Sequence, residues 1–263
     1  MRIPIYQIDA FTDRLFGGNP AAVCVLDRWL EDSVLQSIAA ENNLSETAFL
    51  VGGSGRYGLR WFTPKVEVNL CGHATLASAY VVFREIEPAL RKVIFDSRSC
   101  ELPVSREDEL MTLDFPASHG QICDCPDLLS EGLGRKPLEV RRDAMYLCVF
   151  ADEADIRSMQ PDFSVLAELD LMGVIVTAPG RSVDFVSRMF APKVGIPEDP
   201  VTGSAHCLLT TYWAARTGKT RFTARQLSSR SGELECELRG ERVLISGRAV
   251  KYLQGEILLQ SFT

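Results

Sequence analysis

The feature that most constrains this fold is an internal repeat. Residues 60–68, RWFTPKVEV, recur as residues 188–196, RMFAPKVGI, with Arg, Phe, Pro, Lys and Val at identical spacing. The continuation is parallel as well, because Gly72-His73-Ala74 after the first copy corresponds to Gly203-Ser204-Ala205 after the second. The copies begin about half of the 263-residue chain apart. The repeat therefore predicts two related halves that carry the same strand–turn–helix unit.

A long apolar run follows each copy. Residues 74–84 and 205–216 are too continuously apolar for surface helices and predict two buried helices, the second closed by Gly218 as a C-terminal cap. A surface helix is predicted over residues 31–40. Nine shorter runs predict strands: 21–26, 47–51, 93–95, 111–115, 146–150, 174–178, 183–187, 234–238 and 242–246. Many strands around one buried helix, twice over, indicate an α+β fold of two pseudo-symmetric β-rolls, each wrapped around a central buried helix.

The boundary between the halves is predicted at residues 116–120, where Pro, Ser and Gly follow a strand. We expect a first domain over residues 1–116 and a second over residues 117–249.

Composition narrows the possible partners. A net charge of −7 and a pI near 5.1 argue against nucleic acid or an anionic membrane, and no apolar run approaches the ~20 residues of a membrane span. The start of the chain predicts a strand rather than a signal peptide, and the eight cysteines are too irregularly spaced for a disulfide framework. We therefore expect a cytoplasmic protein with reduced thiols.

One segment has some of the character of a metal site. His119, Cys123 and Cys125 lie close in sequence, but no second pair follows at zinc-ligand spacing. The spacing favours a pair of loop thiols, and no metal or organic cofactor is expected.

Two glycines stand where the buried helices begin. A helix N-terminus offers backbone N–H donors and the positive end of the helix dipole, and Gly72 and Gly203 would allow a ligand close to the backbone. The alternative is that each glycine only permits close packing. Because the arrangement is repeated, the sequence favours binding of an anion such as a carboxylate.

Glu46 is the leading acid/base candidate. Strand alternation puts it on one face with Leu44, Ala48 and Leu50, where burial favours the protonated carboxyl and prepares it for proton transfer. Alternatively, Glu46 sits at the entrance of the strand and points to water.

Three further residues lie near the helix starts. His73, in the first turn of the first buried helix, is predicted to be neutral because the dipole opposes its charge; it could shuttle a proton, donate to a substrate or simply cap or pack. Asp199 could cap the second helix or orient a substrate amine. Cys71 is a tempting nucleophile or base because helix N-termini lower thiol pKa values. Its counterpart is expected near Pro200 or Val201, so no symmetric pair of cysteines is present.

The remaining candidates have a structural role as the favoured interpretation. Asn19 lies in a Gly/Asn/Pro turn and could line a site, although the residues themselves favour a turn role. His119 and His206 are interpreted as loop and helix-packing residues.

Taken in order along the chain, these motifs resemble the PhzF-like (phenazine biosynthesis-like) family of isomerases and epimerases. The matching stretches run from Asp9-Ala10-Phe11-Thr12 to the start of the second helix. They include residues 18–23 (GNPAAV), 44–49 (LSETAF), 60–64 (RWFTP), 70–75 (LCGHAT), 190–192 (FAP) and 195–206 (GIPEDPVTGSAH). The resemblance implies the diaminopimelate-epimerase-like fold, a homodimer as the usual assembly, and a C-terminal segment from about residue 250 that packs back on the first half.

The resemblance also implies an activity. It is a proton shift next to a carboxylate, as in the isomerisation of trans-2,3-dihydro-3-hydroxyanthranilate, a cyclic amino acid. Glu46 matches the acid/base glutamate of the family, while His73, Asp199 and Ser204 match polar groups around the substrate. Gly72 and Gly203 match the backbone that meets the substrate carboxylate, and Asn19 belongs to a matching stretch.

Three functions remain open from the sequence. The first is an isomerase in which Glu46 moves the proton on a small cyclic or amino-acid-like carboxylate. The second is an epimerase or racemase that uses Cys71, as related two-cysteine enzymes do, and the third is a binding protein that keeps the fold without turnover. The presence of Glu46, His73 and Asp199 together favours the first.

Overall fold

The computed structural model describes residues 1–259, which divide into two compact units. Unit 1 contains residues 1–114 and the C-terminal segment from Ser246, and unit 2 contains residues 115–245.

Both units are built mainly from strands. Unit 1 begins with β1 (Arg2–Ala10), β2 (Asn19–Leu26), α1 (Asp32–Asn42), β3 (Glu46–Gly53), β4 (Arg56–Phe62), β5 (Glu67–Val68), α2 (Gly72–Val81), a π-helical turn (Val82–Ile86), β6 (Lys92–Asp96), β7 (Glu101–Glu107) and β8 (Leu110–Pro116). There follow β9 (Gln121–Ile122), α3 (Asp127–Leu133), β10 (Glu139–Arg142), β11 (Tyr146–Val149), α4 (Glu153–Ser158), α5 (Phe163–Leu166), β12 (Val174–Pro179), β13 (Phe185–Ala191), a 3-10 turn (Pro192–Val194), β14 (Ile196–Asp199), α6 (Ala205–Thr217), β15 (Arg221–Gln226), β16 (Gly232–Arg239) and β17 (Arg242–Gly247). The last element, β18 (Ala249–Leu258), returns to unit 1.

The sheet of unit 1 surrounds α2. Its strand order is β18-β1-β2-β3-β4-β6-β7-β8, and all neighbours are antiparallel except the pairs β2/β3 and β4/β6. Every residue of α2 except Tyr80 is buried, as the apolar run predicts. The polar side chains of Thr75 and Ser78 are satisfied inside the helix by the carbonyl groups four residues earlier.

The sheet of unit 2 has the same plan. Its order is β9-β10-β11-β12-β13-β15-β16, and the parallel pairs are β11/β12 and β13/β15. Residues 205–213 of α6 are buried, and Gly218 ends the helix in the left-handed conformation, so the predicted C-terminal cap is confirmed.

The repeated sequence makes the same contacts in both units. Arg60 on β4 forms a two-pronged ion pair with Glu67 and lies 5.0 Å above the Phe62 ring. Arg188 on β13 pairs in the same way with Glu198 and lies 4.9 Å above the Phe190 ring. The predicted repeat is therefore a repeat of packing as well as of sequence.

This correspondence corrects the alignment of the two copies. The second copy has three more residues than the first between its arginine and its glutamate, Arg188 and Glu198. Because Glu198 takes the role of Glu67, these three residues precede Glu198, around the 3-10 turn. Continuing from Glu198 without a gap, the counterpart of Cys71 is Thr202 rather than Pro200 or Val201.

Each of the nine predicted runs overlaps an observed strand, and the predicted surface helix is α1. Seven strands were not predicted from the residues: β5, β7, β9, β10, β14, β15 and β18. Of these, β5, β9 and β14 have only two to four residues, β7, β10 and β15 are rich in charged residues, and β18 is mostly exposed, so no apolar alternation marks them. Within residues 1–259, no helix has the length and apolar character needed to cross a membrane.

Candidate active site

A glycine in the left-handed conformation, Gly18, positions the first site residue, Asn19. Gly18 has φ +61°, and a Cβ atom there would lie 2.1 Å from the Ala10 carbonyl oxygen, so only glycine fits. The next residue, Asn19, begins β2 opposite Ala10 and is fully buried. The turn predicted for this motif is present, and it directs the Asn19 amide into the interior of unit 1.

Glu46 is the first residue of β3 and is buried, with an exposed fraction of 8%. β3 is covered on both faces: Phe49 packs with Leu35 and Ile38 of α1, while α2 contacts the strand as well. Side chains alternate along a strand, so Glu46 lies on the face opposite Phe49 when the register is followed. The interpretation in which Glu46 points to water is therefore wrong.

The start of α2 supplies two more residues. Cys71 is the N-cap residue in an extended conformation, and His73 lies in the first turn. The Thr75 hydroxyl donates to the Cys71 carbonyl at 2.6 Å, which holds the turn in place. Gly72 between them is buried and is not left-handed, so backbone strain is not the reason for a glycine here.

These four residues form one buried cluster around the His73 ring. Asn19 Nδ2 lies 3.1 Å and Cys71 Sγ 3.5 Å from His73 Nδ1, and Glu46 Oε2 lies 3.0 Å from His73 Nε2. The last pair is close but does not have the geometry of a hydrogen bond, and neither atom has a hydrogen-bond partner within residues 1–259. The Glu46 carboxyl and the His73 imidazole therefore lie side by side, and each has a polar atom that could bind a ligand.

The neighbours of His73 set the position of its proton. In the neutral ring, Asn19 Nδ2 donates to Nδ1, so the ring proton is on Nε2. In the charged ring both nitrogens carry protons. A proton therefore faces Glu46 in either state.

Protonation in this cluster differs from the sequence prediction. Burial opposes the charge of His73, but the Glu46 carboxylate beside Nε2 outweighs it and holds the pKa of His73 well above its usual range. The neutral histidine predicted from the helix dipole is therefore wrong, because close charges act more strongly than the dipole. Burial, with help from Glu46, raises the pKa of Cys71 to about 11, so the predicted lowering of this thiol pKa is also wrong.

In unit 2, Asp199 lies at the end of β14 and is largely buried. The Thr202 hydroxyl donates to its carboxylate. Ser204, not Asp199, is the N-cap residue of α6, and the Ser204 side chain makes no capping hydrogen bond. The capping role that was considered for Asp199 is therefore not observed. Gly203 is buried beside Ser204 and, like Gly72, is not left-handed.

Gln226 holds this turn in place and was missed from the sequence. Its Oε1 accepts from the Thr202 N–H at 2.9 Å, while Nε2 donates to the Asp199 carbonyl at 2.8 Å and to Thr202 Oγ1 at 3.3 Å. It is fully buried at the end of β15. The charged strand RFTARQ gives no sequence signal for such a role, which depends on a contact 24 residues away.

The other histidines have local roles. His206 Nδ1 lies 2.9 Å from the Thr202 carbonyl, the ring stacks on Phe185, and burial lowers the pKa of His206 to about 4. The packing role predicted for His206 agrees with these contacts. His119 is mostly exposed, with Nε2 3.4 Å from Glu241.

One set of metal-ligating side chains converges, and it is not the one considered from the sequence. Within the part of the chain that the structure describes, donor atoms of Glu46, Cys71 and His73 lie within 4.8 Å of one another, and no other three His, Cys, Asp or Glu side chains do so. His119, Cys123 and Cys125 form no such group.

Comparison with known proteins agrees with this architecture. A structure of a PhzF-family phenazine biosynthesis protein from Enterococcus faecalis superposes with a TM-score of 0.96 at 47% identity, covering 98% of this chain and all of that one. A probable proline racemase from Agrobacterium radiobacter K84 has a TM-score of 0.66 at 12% identity, covering 99% and 94% of the two chains, and so shares the fold alone. The predicted fold class, two β-rolls of the diaminopimelate-epimerase-like type, is confirmed.

The sequence comparisons identify the family. An uncharacterized isomerase of Pseudomonas aeruginosa is 54% identical over 259 residues, which cover 98% of this chain and the whole of that protein. The family described as phenazine biosynthesis-like protein (PhzC-PhzF) matches residues 8–255. The match extends over nearly the whole chain, and the similar structure from Enterococcus faecalis covers almost all of it. This chain therefore belongs to the phenazine biosynthesis-like protein family.

Proposed function

We propose that this protein is an isomerase that shifts a proton next to the carboxylate of a small cyclic or amino-acid-like substrate. The substrate would resemble trans-2,3-dihydro-3-hydroxyanthranilate, and the reaction would need no metal or organic cofactor. The observation that carries the proposal is the buried pair of Glu46 and His73, whose facing atoms are 3.0 Å apart without a hydrogen bond.

Glu46 is the proposed proton carrier. Its carboxylate takes a proton from the carbon next to the substrate carboxylate, and the electron pair of the broken C–H bond moves into the conjugated system of the substrate. The same carboxyl then returns the proton to another carbon, so that one base serves both steps. His73, with a proton on the side that faces Glu46, relays or stabilises charge during the transfer.

The substrate carboxylate is the proposed ligand of the start of α2. Gly72 there combines buried glycine backbone with an N-cap side chain, Cys71, that makes no capping hydrogen bond, and the start of α6 in unit 2, with Gly203 and Ser204, has the same character. Backbone donors in such positions suit an anion. They would also stabilise the negative charge that develops next to the carboxylate as the proton leaves.

Asn19 and Asp199 have supporting roles in this proposal. Asn19 orients His73 through its amide, and it would meet the substrate from the same side. Asp199, held by Thr202 in a turn that Gln226 fastens, would orient a substrate amine or hydroxyl group. In an Asp199→Asn variant, KM for the substrate should rise, whereas the carbon at which deuterium enters the substrate should change little.

A cysteine-dependent epimerase is the second candidate, because Cys71 lies 3.5 Å from His73. Its raised pKa makes Cys71 a thiol rather than a thiolate near neutral pH, and its counterpart in unit 2 is Thr202. Both observations favour one-base transfer by Glu46. A binding protein without turnover would not need the acid/base pair.

The decisive test is hydrogen exchange at carbon. Cyclic and linear amino acids are incubated with the protein in deuterated water and analysed by mass spectrometry, since exchange reports proton abstraction even without net product. We expect deuterium next to the carboxylate of at least one cyclic substrate, and its disappearance in Glu46→Gln. Exchange that survives in Glu46→Gln but is abolished by alkylation of Cys71 would establish the epimerase instead.

We further propose a homodimer that works in the cytoplasm. The family resemblance supports the assembly, and eight free thiols, five of them buried, suit a reducing compartment. Sedimentation equilibrium of the full chain measures the assembly directly; a single species at the monomer mass would contradict it.

A further inference from the structure

Three chemically different metal ligands meet in unit 1. The Glu46 carboxylate, the Cys71 thiol and the His73 imidazole each place one donor atom within 4.8 Å of the other two, and all three residues are buried. They come from β3, from the residue before α2 and from the first turn of α2. The fold itself assembles them, so a cation would find its ligands already close together.

We propose that Glu46, Cys71 and His73 bind a thiophilic divalent cation of the zinc type, which competes with the substrate. The cation is an inhibitor in this proposal and takes no part in the proton transfer.

The spacing of the donors matches zinc. Bond lengths of about 2.3 Å for Zn–S and 2.0–2.1 Å for Zn–N at a tetrahedral angle put the two ligand atoms roughly 3.5 Å apart. Cys71 Sγ and His73 Nδ1 are 3.5 Å apart. The cation would replace the Asn19 amide, which contacts the same nitrogen. Glu46 Oε2 now faces the other ring nitrogen, so the carboxylate would have to move toward Nδ1 to become the third ligand.

The choice of cation follows from the donors and their charge. Thiolate and imidazole favour zinc-type ions, whereas magnesium and calcium prefer oxygen ligands. When zinc binds, the Cys71 thiol and the charged His73 ring each release one proton to solvent, and one thiolate with one carboxylate balances the two positive charges. A neutral cluster is less costly to bury than separate ions. Three protein ligands also leave the fourth position open to water.

Binding should stop the proposed reaction, because it occupies the carboxylate that accepts the proton and the imidazole beside it. This competition rests on the proposed function, but binding of the cation does not. The two parts can therefore be tested separately.

Cobalt(II) is a suitable probe for binding, since a thiolate ligand gives it a charge-transfer band in the near ultraviolet. The full-length protein is stripped with a chelator and titrated with cobalt. We expect a thiolate band that saturates at one cobalt per chain and is abolished when zinc is added. Cys71→Ser should lose the band, with circular dichroism confirming that the variant is folded.

Other thiols in the chain provide the controls. Cys100→Ser, at the exposed thiol, should keep the band, as should Cys123→Ser and Cys125→Ser at the half-buried pair. A titration without any thiolate band would overturn the site, and so would a band that persists in Cys71→Ser or is lost in Cys123→Ser.

The competition is measured with the exchange assay. Zinc should inhibit deuterium exchange over the same concentration range in which it displaces cobalt, and a chelator should restore the activity. Zinc that binds at Cys71 without slowing exchange would overturn the competition while leaving both the site and the proposed reaction intact. If Glu46→Gln keeps its exchange activity, in contrast, the proposed reaction is wrong, and that result does not bear on binding of the cation.

Discussion

The two units share a scaffold and differ where their central helices begin. In each unit an arginine holds a glutamate with two hydrogen bonds, lies over a phenylalanine and reaches a helix: Arg60 contacts Asp32 of α1, and Arg188 contacts carbonyls at α4 and just after it. The helix starts differ. Unit 1 has Cys71-Gly72-His73, and unit 2 has Thr202-Gly203-Ser204.

The difference separates folding from chemistry. Residues that hold the strand and turn are the same in both copies, whereas the residues at the helix start have diverged in their ability to exchange protons. Unit 1 gathers a carboxyl, a thiol and an imidazole, while Thr202 and Ser204 of unit 2 can only donate and accept hydrogen bonds. Asp199 is the acidic group that unit 2 adds beside them. The predictions below test this division.

The largest effect is expected at the acid/base pair. Glu46→Gln keeps the size of the side chain and removes the base, so turnover should fall at least about a hundredfold with little change in substrate affinity. Steady-state kinetics of the exchange reaction measures both. Glu153→Gln is the matched control, because Glu153 is a buried glutamate of unit 2 that pairs with Arg157. Normal turnover in Glu46→Gln would show that Glu46 is not the proton carrier.

The two arginine–glutamate pairs of the repeat, Arg60–Glu67 and Arg188–Glu198, should contribute equally to stability. Arg60→Met and Arg188→Met each leave a partly buried glutamate without its main partner, and each should lower the free energy of unfolding by about 2 kcal/mol, between the values for exposed and buried pairs. Denaturant titration measures this loss, and hydrogen exchange assigns it to a unit. Arg2→Met, at an exposed pair, should change little. A large effect in one unit alone would show that the repeated contacts are not equivalent.

A loss of stability at acidic pH is expected from His206 in unit 2. His206 and its counterpart Thr75 both bond the carbonyl four residues earlier, but only His206 titrates. Since the folded pKa of His206 is about 4, below the usual 6.5, the unfolded chain binds its proton first as the pH falls. This contribution to stability is complete above pH 6.5 and is lost as the pH falls toward 4; the loss reaches about 2 kcal/mol by pH 5.

Denaturant unfolding of wild type and His206→Asn at pH 7 and pH 5 measures this contribution. The variant keeps a donor and does not titrate, so its stability should fall less between the two pH values. An equal fall in both proteins would place the acid sensitivity elsewhere.

The smallest effect is expected at Cys71. Cys71→Ser removes a thiol that is protonated near neutral pH, so turnover should fall less than about tenfold, within the range of a minor positioning contact. The exchange assay measures it alongside Glu46→Gln. An inactive Cys71→Ser with an active Glu46→Gln would reverse the assignment and favour the cysteine-dependent reaction.

Sequence alone predicted the parts of the fold that have strong local signals. The repeat and the two mostly apolar runs sufficed for two strand-rich halves around buried helices, because a helix without a charged face is expected in the interior. The strand β18 had no such signal. Its segment AVKYLQGEIL is mostly exposed and becomes a strand by pairing with β1.

The candidate site was predictable as a set of residues but not as a network. Spacing and resemblance pointed to Glu46 and His73, yet nothing near Asn19 indicates that its amide reaches a ring 54 residues away. The protonation states were mispredicted for the same reason. A helix dipole can be inferred from sequence, whereas the carboxylate beside His73 is a tertiary contact that outweighs it.

The pairing of β1 with β18 also fixes an order of events during synthesis. Residues 2–10 leave the ribosome before unit 2, but their partner strand at residues 249–258 is translated only after all of unit 2. Unit 2 is one uninterrupted stretch of chain and has all of its own strands by residue 245. The second unit along the chain is therefore the first that can be completed, and the edge of β1 that β18 covers must wait, unpaired, until residues 249–258 have been translated.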